Sequence, residues 1–264
     1  MPRFKIFLEY QGTRYRGWQI QRNARTVQGE IVKALTTIFA GKELEFQGAG
    51  RTDAGVHALL QVAHLDVDTR LSPREVRRRL NDELPPDINI LRVDVAPARF
   101  HARHHALARV YLYQISRRRT AFGKNYVWWI PEELDLSQMR ETADLLLGMR
   151  DFKSFTADEP EEKSTRVLIE RLAIEENGDL ILIRIQGSHF LWKMVRRLVG
   201  VLVEVGRRKL TLEEVRHFLQ FRSNRPAELT APASGLFLEK VLYEGDEAEP
   251  DSEEAAVPLI RIRS

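Results

Sequence analysis

The chain has 264 residues, of which 43% are hydrophobic and 30% are charged, a composition typical of a folded globular protein. No stretch approaches the ~20 consecutive apolar residues that a membrane span requires, and the N-terminus lacks the apolar core of a signal peptide. We therefore expect a cytoplasmic protein with no membrane partner. The sequence contains no cysteine, which excludes disulfides, thiolate zinc sites and a cysteine nucleophile.

The net charge of +3 understates how basic most of the chain is. Six acidic residues and two arginines fall within residues 245–264, so the remainder carries a larger positive charge. Basic residues cluster in short runs at 77–79, 117–119, 196–197 and 207–209. Such runs attract a polyanion, and they also occur on solvated helix faces, so the charge pattern leaves both interpretations open.

Hydrophobic periodicity and capping residues predict the elements of the first half. Ser72 and Glu75 form a capping box with Pro73 at the first helical position, and Pro85 ends that helix. In chain order we expect a strand at 3–10, a helix at 26–39, strands at 44–48 and 60–67, a helix from 72 and a strand at 88–95. This β-α-β-β-α-β order is that of a ferredoxin-like fold.

The second half repeats this alternation less regularly. We expect a strand at 109–117, a helix at 136–147, a hairpin of strands 166–175 and 180–186 turning at Asn177-Gly178, helices at 191–205 and from 211, and a strand at 236–243. The prediction is an α+β protein with two related ferredoxin-like or RNA-recognition-like halves, residues 1–103 and 104–245, whose antiparallel sheets form a central cleft. An acidic, mobile tail follows at 246–264.

The segment from Gly48 to Ala58 places Asp53 among glycines and alanines. Small residues on both sides of a carboxylate let another backbone segment, or a ligand, approach closely. The segment lacks the third glycine and the following helix of a dinucleotide-binding loop, and the chain has no Walker-type Gly-Lys-Ser/Thr. From spacing alone, Asp53 is either a turn residue or a functional carboxylate.

Arg196 lies at the edge of the apolar side of the predicted helix 191–205, whereas Arg197 falls on the opposite side. Arg196 therefore either reaches into the expected cleft or packs its stem along the core margin with its guanidinium group in water. The apolar side is formed by Leu191, Val195, Leu198 and Leu202.

Aromatic and histidine side chains precede that helix. Tyr111 and Tyr113 share one face of the strand at 109–117, and each is either a core residue or part of a platform on which an unpaired nucleobase stacks. His101, His104 and His105 form a cluster whose charged neighbours are arginines rather than carboxylates. This composition argues against a metal site and favours phosphate contact.

Together these segments resemble the TruA-type tRNA pseudouridine synthases over about residues 4–243. The resemblance rests on an ordered set of separate blocks, which is far more specific than any one of them. The blocks are 10–19 with 26–29, the loop 50–58, 100–103, Arg109 with Tyr111 and Tyr113, 151–155, 193–200 and 231–236.

The resemblance implies roles for particular residues. Asp53 aligns with the family's catalytic aspartate, Tyr111 with the tyrosine that stacks on the target uracil, and Arg196 with the basic residue that pairs with the aspartate. Arg51 matches an arginine associated with the stack that the flipped base vacates, and Leu236 matches a residue that lines the same pocket. Further RNA contacts are expected from His57, Arg103, His104, His105 and Arg109.

The resemblance also implies a homodimer on which one tRNA spans both subunits, and modification of uridines 38, 39 and 40 in the anticodon stem-loop. It implies no metal and no organic cofactor. The reaction breaks the N1–C1′ bond, turns the uracil and joins C5 to C1′, which requires an unpaired nucleotide flipped into a pocket. Asp53 either attacks C1′ or abstracts the C2′ proton, and the sequence leaves both routes open.

Three other interpretations compete with this one. The chain could hold RNA without altering it, although it lacks the Gly-Phe-rich aromatic signature of RNA-recognition motifs. It could be a metal-dependent hydrolase that uses the histidine cluster. It could also perform the same chemistry on broader targets, such as small nuclear RNA or other tRNA positions.

Overall fold

The computed structural model describes residues 2–158 and 164–246, which divide into two compact units. The first unit consists of residues 2–107 and 237–246, and the second of residues 108–158 and 164–236. Residues 237–246 thus belong to the first unit. The sequence had placed residues 237–245 in the second half. The expected cleft stays a prediction, and the expected acidic tail lies outside the described residues except for Asp246.

The elements follow the predicted alternation of strands and helices. The first unit contains β1 (Arg3–Tyr10), α1 (Val27–Ile38), β2 (Leu44–Gly48), β3 (His57–Val67), α2 (Pro73–Glu83) and β4 (Ile88–Ala96). The second contains β5 (Ala108–Ser116), β6 (Trp128–Trp129), α3 (Leu136–Leu146), β7 (Gly148–Asp151), β8 (Arg166–Asn177), β9 (Leu180–Gly187), α4 (Met194–Gly206), α5 (Leu212–Gln220) and α6 (Arg225–Glu228). Strand β10 (Leu236–Leu242) follows, and short 3-10 turns lie at Gly12–Arg14 and Ala233–Gly235.

The first unit confirms the predicted β-α-β-β-α-β order. Strand β1 lies between β4 and β3, antiparallel to both. The other edge of β3 is shared, because β2 pairs antiparallel along 63–67 and β10 pairs parallel along 57–58. These long-range pairings explain why β3 begins at His57, three residues earlier than its local pattern predicts.

Side-chain caps fix where four helices begin, α1, α2, α3 and α5. The Thr26 hydroxyl accepts a hydrogen bond from the Gly29 N–H at 3.2 Å, which starts α1. The predicted capping boxes, Ser72 with Glu75 and Thr211 with Glu214, are both present at α2 and α5. Each cap satisfies backbone donors that would otherwise lack a partner at a helix N-terminus.

In the second unit the strands β5, β9, β8 and β7 pair antiparallel in that order, and β6 lies parallel to the end of β5. The β8–β9 hairpin differs by one residue from the predicted turn. Asn177 pairs with Leu180, so Gly178 and Asp179 form the turn. Gly178 has a φ of +57°, which glycine adopts without the steric cost of a Cβ.

Helix α4 begins later than predicted and is more deeply buried. It starts at Met194 rather than at 191, because Lys193 adopts a left-handed φ of 62° and serves as its N-cap. The apolar positions Val195, Leu198 and Leu202 are buried as expected. Arg197, expected on the polar side, is half-buried and donates a hydrogen bond to the Thr156 carbonyl. Because α4 is apolar on nearly all of its sides, it lies in the core of its unit.

None of the helices among residues 2–158 and 164–246 combines the length and apolar character needed to cross a membrane.

Candidate active site

Asp53 lies in the loop 49–56 that joins β2 to β3. Its side chain is half-exposed, whereas the neighbouring Thr52 and Val56 are buried and Arg51 is exposed. The Asp53 carbonyl accepts a hydrogen bond from the Val56 N–H at 3.1 Å, and Gly55 has a φ of +80°. Asp53 therefore opens a tight turn, in which the residue is half-buried.

Two glycines let the segment 12–18 approach this loop backbone to backbone. A Cβ on Gly12 would lie 1.9 Å from the Val56 carbonyl oxygen, and one on Gly17 would lie 2.6 Å from the Thr52 carbonyl oxygen. Gly17 also has a φ of +94°, which disfavours any other residue. At such distances no side chain fits, so both positions depend on glycine.

Backbone hydrogen bonds hold the same two segments together on both sides of Asp53. The Trp18 N–H donates to the Thr52 carbonyl at 3.0 Å, and the Gly55 N–H donates to the Tyr15 carbonyl at 3.2 Å. Because one bond involves the residue before Asp53 and the other the second residue after it, the main chain at Asp53 has little freedom.

Buried side chains reinforce the loop from within the unit. The hydroxyls of Tyr10 and Thr52 are hydrogen-bonded at 2.8 Å. The Gly12 N–H donates to His57 Nδ1 at 3.0 Å, and the His57 ring stacks on Phe237 with centroids 4.7 Å apart. His57 is only 1% exposed, a placement that suits support of the loop better than the RNA contact expected from the sequence.

Trp18 packs beneath the start of the loop. It is 2% exposed, and its ring lies 5.9 Å from that of Tyr10 and 6.1 Å from that of Phe46. A Cβ on Gly48 would lie 2.5 Å from the Trp18 indole, so this glycine is also required by packing. The sequence alone does not mark Gly12, Gly17 or Trp18 as supports of Asp53, because their contacts with the loop are long-range.

The two tyrosines of β5 occupy different environments. Tyr113 is fully buried, and its hydroxyl donates to the Pro232 carbonyl at 2.8 Å. Burial raises the pKa of Tyr113, although the positive charge of Arg196 acts in the opposite direction. Tyr111 is 9% exposed and meets the Phe190 ring edge-on, with centroids 5.1 Å apart. Tyr113 is thus a core residue, and Tyr111 lies at the margin of the core.

Arg196 is fixed against the segment that leads into β10. Its Nε donates to the Ala231 carbonyl at 2.7 Å, and the Ala231 N–H donates to the Arg196 carbonyl at 3.0 Å. A Cβ on Gly200 would lie 1.6 Å from the Leu229 carbonyl oxygen, so this glycine allows α4 to approach the segment. Arg196 is half-buried, and its guanidinium group is hydrogen-bonded to the main chain. Its reach into the expected cleft stays a prediction.

Leu236 follows directly on this segment. It is 4% exposed, and the preceding Gly235 packs so closely that a Cβ would lie 2.8 Å from both the Gln114 carbonyl oxygen and the Tyr113 ring. Within the second unit, the structure therefore ties Leu236, Tyr113 and Arg196 to one segment. The pairing of Arg196 with Asp53 implied by the resemblance stays a prediction.

The histidine cluster contains one more member than the sequence indicated. The His101 ring lies 4.7 Å from that of His64 and 4.1 Å from that of His104. His101 Nδ1 accepts hydrogen bonds from the backbone N–H groups of Arg103 and His104, and His105 Nδ1 accepts one from His101. Histidines that accept through Nδ1 in this way hold the loop 101–105 in shape while they are neutral.

The remaining residues that were expected to contact RNA differ in their exposure. Arg103, His104 and His105 are exposed, whereas Arg109 is half-buried and donates through Nη1 to the Ser188 carbonyl at 2.8 Å. Over the described part of the chain, no group of three or more histidine, cysteine, aspartate or glutamate side chains is arranged to hold a metal ion.

Sequence comparison relates the chain to a family of RNA-modifying enzymes. The sequence model of the tRNA pseudouridine synthase family matches residues 6–105 and 142–244. The tRNA pseudouridine synthase A of Rhodopseudomonas palustris is 41% identical over 247 residues, covering 92% of this chain and all of the relative. The tRNA pseudouridine synthase A of Brucella ovis is 40% identical over 248 residues, covering 92% of this chain and 98% of the relative.

Among solved structures, a chain in the crystal structure of a Cbf5-Nop10-Gar1 complex is similar to this one. The alignment covers 75% of this chain and 54% of the matched chain. The identity is 12% and the TM-score is 0.31, too low to support any conclusion about this chain.

The close approach at Gly12 predicts a large effect of a single methyl group. We expect Gly12→Ala to lower the free energy of unfolding by ~1–3 kcal/mol, because the added Cβ forces the Val56 carbonyl away. Gly50→Ala is the matched control, since a Cβ there meets no heavy atom within 4 Å. Chemical denaturation of both variants measures the difference, and equal stabilities would contradict the proposed packing.

His64 predicts a pH dependence of stability. It is fully buried, its Nδ1 accepts from the Ala102 N–H, and its Nε2 lacks a hydrogen-bond partner among the described residues. Burial is the main cause that lowers the pKa of His64, and the positive charges of His101 and Arg3 add to it, while Asp66 and Glu45 oppose it. Protonation of His64 therefore favours the unfolded chain.

The stabilising contribution is complete above the ordinary histidine pKa of 6.5 and decreases as the pH falls below it toward the lower folded-state pKa. We expect His64→Gln to lose less stability than the wild type when the pH is lowered through this range. The exposed His217→Gln is the control. Denaturation at a series of pH values tests this, and an unchanged pH dependence in His64→Gln would argue against it.

Proposed function

The chain belongs to the tRNA pseudouridine synthase family, and we propose that it isomerises uridine to pseudouridine at positions 38, 39 and 40 of the tRNA anticodon stem-loop, with Asp53 as the essential carboxylate. Membership of this family makes the chain an isomerase that acts on tRNA. The positions and the role of Asp53 rest on the resemblance of the motif blocks. The observation that carries the assignment to Asp53 is the position of this half-buried residue on a loop whose backbone is hydrogen-bonded on both sides of it.

The reaction conserves every atom of the uridine. The N1–C1′ bond breaks, the uracil turns while it is still held, and C5 forms the new bond to C1′. The C5 proton then leaves and N1 gains a proton, so no oxidant or reductant is needed. The target base must leave the helical stack, and a stem end or a loop makes this less costly than an internal base pair.

Asp53 acts as an ionised carboxylate on either of two routes. It attacks C1′ as a nucleophile and leaves when C5 attacks in turn, or it removes the C2′ proton to give a glycal and later returns it. Both routes require the carboxylate to be held within reach of the ribose. The short tether of an aspartate and the fixed loop backbone support such a position.

The remaining residues have supporting roles in this proposal. Tyr111 stacks on the freed uracil while it turns, and Leu236 excludes water from the pocket. Arg196 pairs with the carboxylate, and Arg51 occupies the stack from which the base was flipped. The exposure of Arg51, Arg103, His104 and His105 suits contacts with the RNA backbone. The proposal includes a cytoplasmic homodimer that shares one tRNA and requires no cofactor.

Basic residues that already have acidic partners contribute less to RNA binding. Arg117 pairs with Glu176 at 2.6 Å, and Arg118 approaches Asp179 at 3.4 Å. These pairs must be broken before either arginine contacts a phosphate group. The run at 117–119 is therefore weaker support for a polyanion partner than its composition indicates.

The test is tritium release from C5-labelled uridine in whole tRNA, with a metal chelator present. We expect the wild type to release tritium and Asp53→Asn to release none, since the amide is neither a nucleophile nor a base. Affinity for tRNA should change by no more than about two-fold, because the carboxylate is not a phosphate ligand. Mapping of the modified positions then decides between uridines 38–40 and broader targets.

Three outcomes would contradict the proposal. Release by Asp53→Asn would remove Asp53 from its essential role. Binding without release by either protein would favour an RNA-binding module. Loss of wild-type release on chelation would favour a metal-dependent enzyme.

A further inference from the structure

The segment 188–193 joins β9 to α4 and has a firmly held backbone. The Ser188 N–H donates to the Leu168 carbonyl at 3.0 Å. The Trp192 N–H donates to the Asp158 carboxylate at 3.0 Å, and the Trp192 carbonyl accepts from the Ala157 N–H at 3.0 Å. Both backbone groups of Trp192 are therefore hydrogen-bonded, which fixes the main-chain position from which its side chain extends.

Trp192 is nevertheless 52% exposed. An exposed aromatic ring offers a face on which another planar group can stack. The Lys193 ammonium group lies 5.0 Å from the centre of the indole ring. A cation thus stands beside the exposed aromatic surface.

Lys193 holds this position at a conformational cost. Its φ of 62° lies in the left-handed region, which among the described non-glycine residues only Arg208 shares. A lysine in this region is less stable than a glycine would be, and such strain is concentrated at functional sites. Glycine would form the same N-cap of α4 but would remove the cation from Trp192.

The segment is continuous with the residue proposed to stack on the target uracil. Phe190, two residues before Trp192, meets Tyr111 edge-on at 5.1 Å. A single short segment therefore packs against Tyr111 and presents a second aromatic ring within the same unit.

The charges around Trp192 favour an anionic partner. The first turn of α4 contains no acidic residue, and it carries Arg196 one turn after Lys193. Among residues 2–158 and 164–246, the Asp158 carboxylate is bonded to this segment, where it accepts hydrogen bonds from the Trp192 N–H and the Thr156 hydroxyl and so acts in positioning Trp192. The positive end of the α4 dipole adds to the attraction.

We propose that Trp192 and Lys193 bind a nucleotide of the tRNA next to the target uridine, and this rests on the proposed function. An unpaired base stacks on the exposed indole, and the ammonium group contacts its phosphate. Proteins that hold single-stranded RNA combine these two contacts, since every base has a π-face and every nucleotide a charge. Flipping of the target base leaves its neighbour partly unstacked, which supplies such a base.

The test compares the dissociation constants of an unmodified tRNA transcript for the wild type and four variants. We expect Trp192→Ala to weaken binding about ten-fold and Trp192→Phe to retain most of the affinity, because a phenyl ring still stacks. Phe122→Ala is the matched control, since Phe122 is an 85% exposed aromatic residue of the same unit. It should bind like the wild type.

The fourth variant, Lys193→Gly, removes the cation while glycine accommodates the left-handed φ. Its affinity should fall less steeply with salt concentration than that of the wild type, since one phosphate contact is lost. An unchanged salt dependence would contradict the phosphate contact.

Several results would overturn the proposal. These are wild-type affinity in Trp192→Ala, an equal loss in Phe122→Ala, or a Trp192→Phe variant as weak as Trp192→Ala. A Trp192→Ala chain that loses its oligomeric state on sedimentation would instead assign the surface to a second copy. Binding does not require turnover, so a wild type that binds tRNA without releasing tritium would count against the proposed function while the variants still decide this inference.

Discussion

The close approach of two backbone segments at Gly12 and Gly17 determines where Asp53 lies. At both positions a Cβ would overlap a carbonyl oxygen of the loop that carries the carboxylate. Hydrogen bonds from Trp18 and Gly55 hold the two segments at this distance. A catalytic group must be placed to within a fraction of an ångström, and an aspartate achieves this most readily when its main chain cannot move.

Glycines also allow close backbone approaches in the second unit. Gly200 lets α4 reach the Leu229 carbonyl, and Gly235 lets the next turn pack on Tyr113. Arg196 then bonds in both directions with Ala231. Residues that the resemblance assigns to the substrate thus belong to elements that small residues bring together, and rigid surroundings reduce the entropy lost when a substrate binds.

Most of the fold was predictable because hydrophobic periodicity and caps are local signals, as Ser72 shows for α2. The errors lie where a non-local contact or an unusual backbone angle determines the start of an element. Strand β3 includes His57 because His57 pairs with β10, and α4 starts only after Lys193 because of the left-handed φ of that residue. The Asp53 loop could be found from composition and resemblance. Its supports at Gly12 and Gly17 could not, because a glycine in sequence gives no sign of which carbonyl it faces.

The most direct test of a fixed Asp53 is the single-turnover rate of Asp53→Glu on C5-labelled tRNA. Glutamate keeps the charge but moves the carboxylate by about one C–C bond relative to a main chain that cannot adjust. If the position is as constrained as the structure indicates, the rate should fall by ~10²-fold or more while folding and tRNA affinity are retained. A rate close to that of the wild type would show that the loop adapts, and would contradict the account.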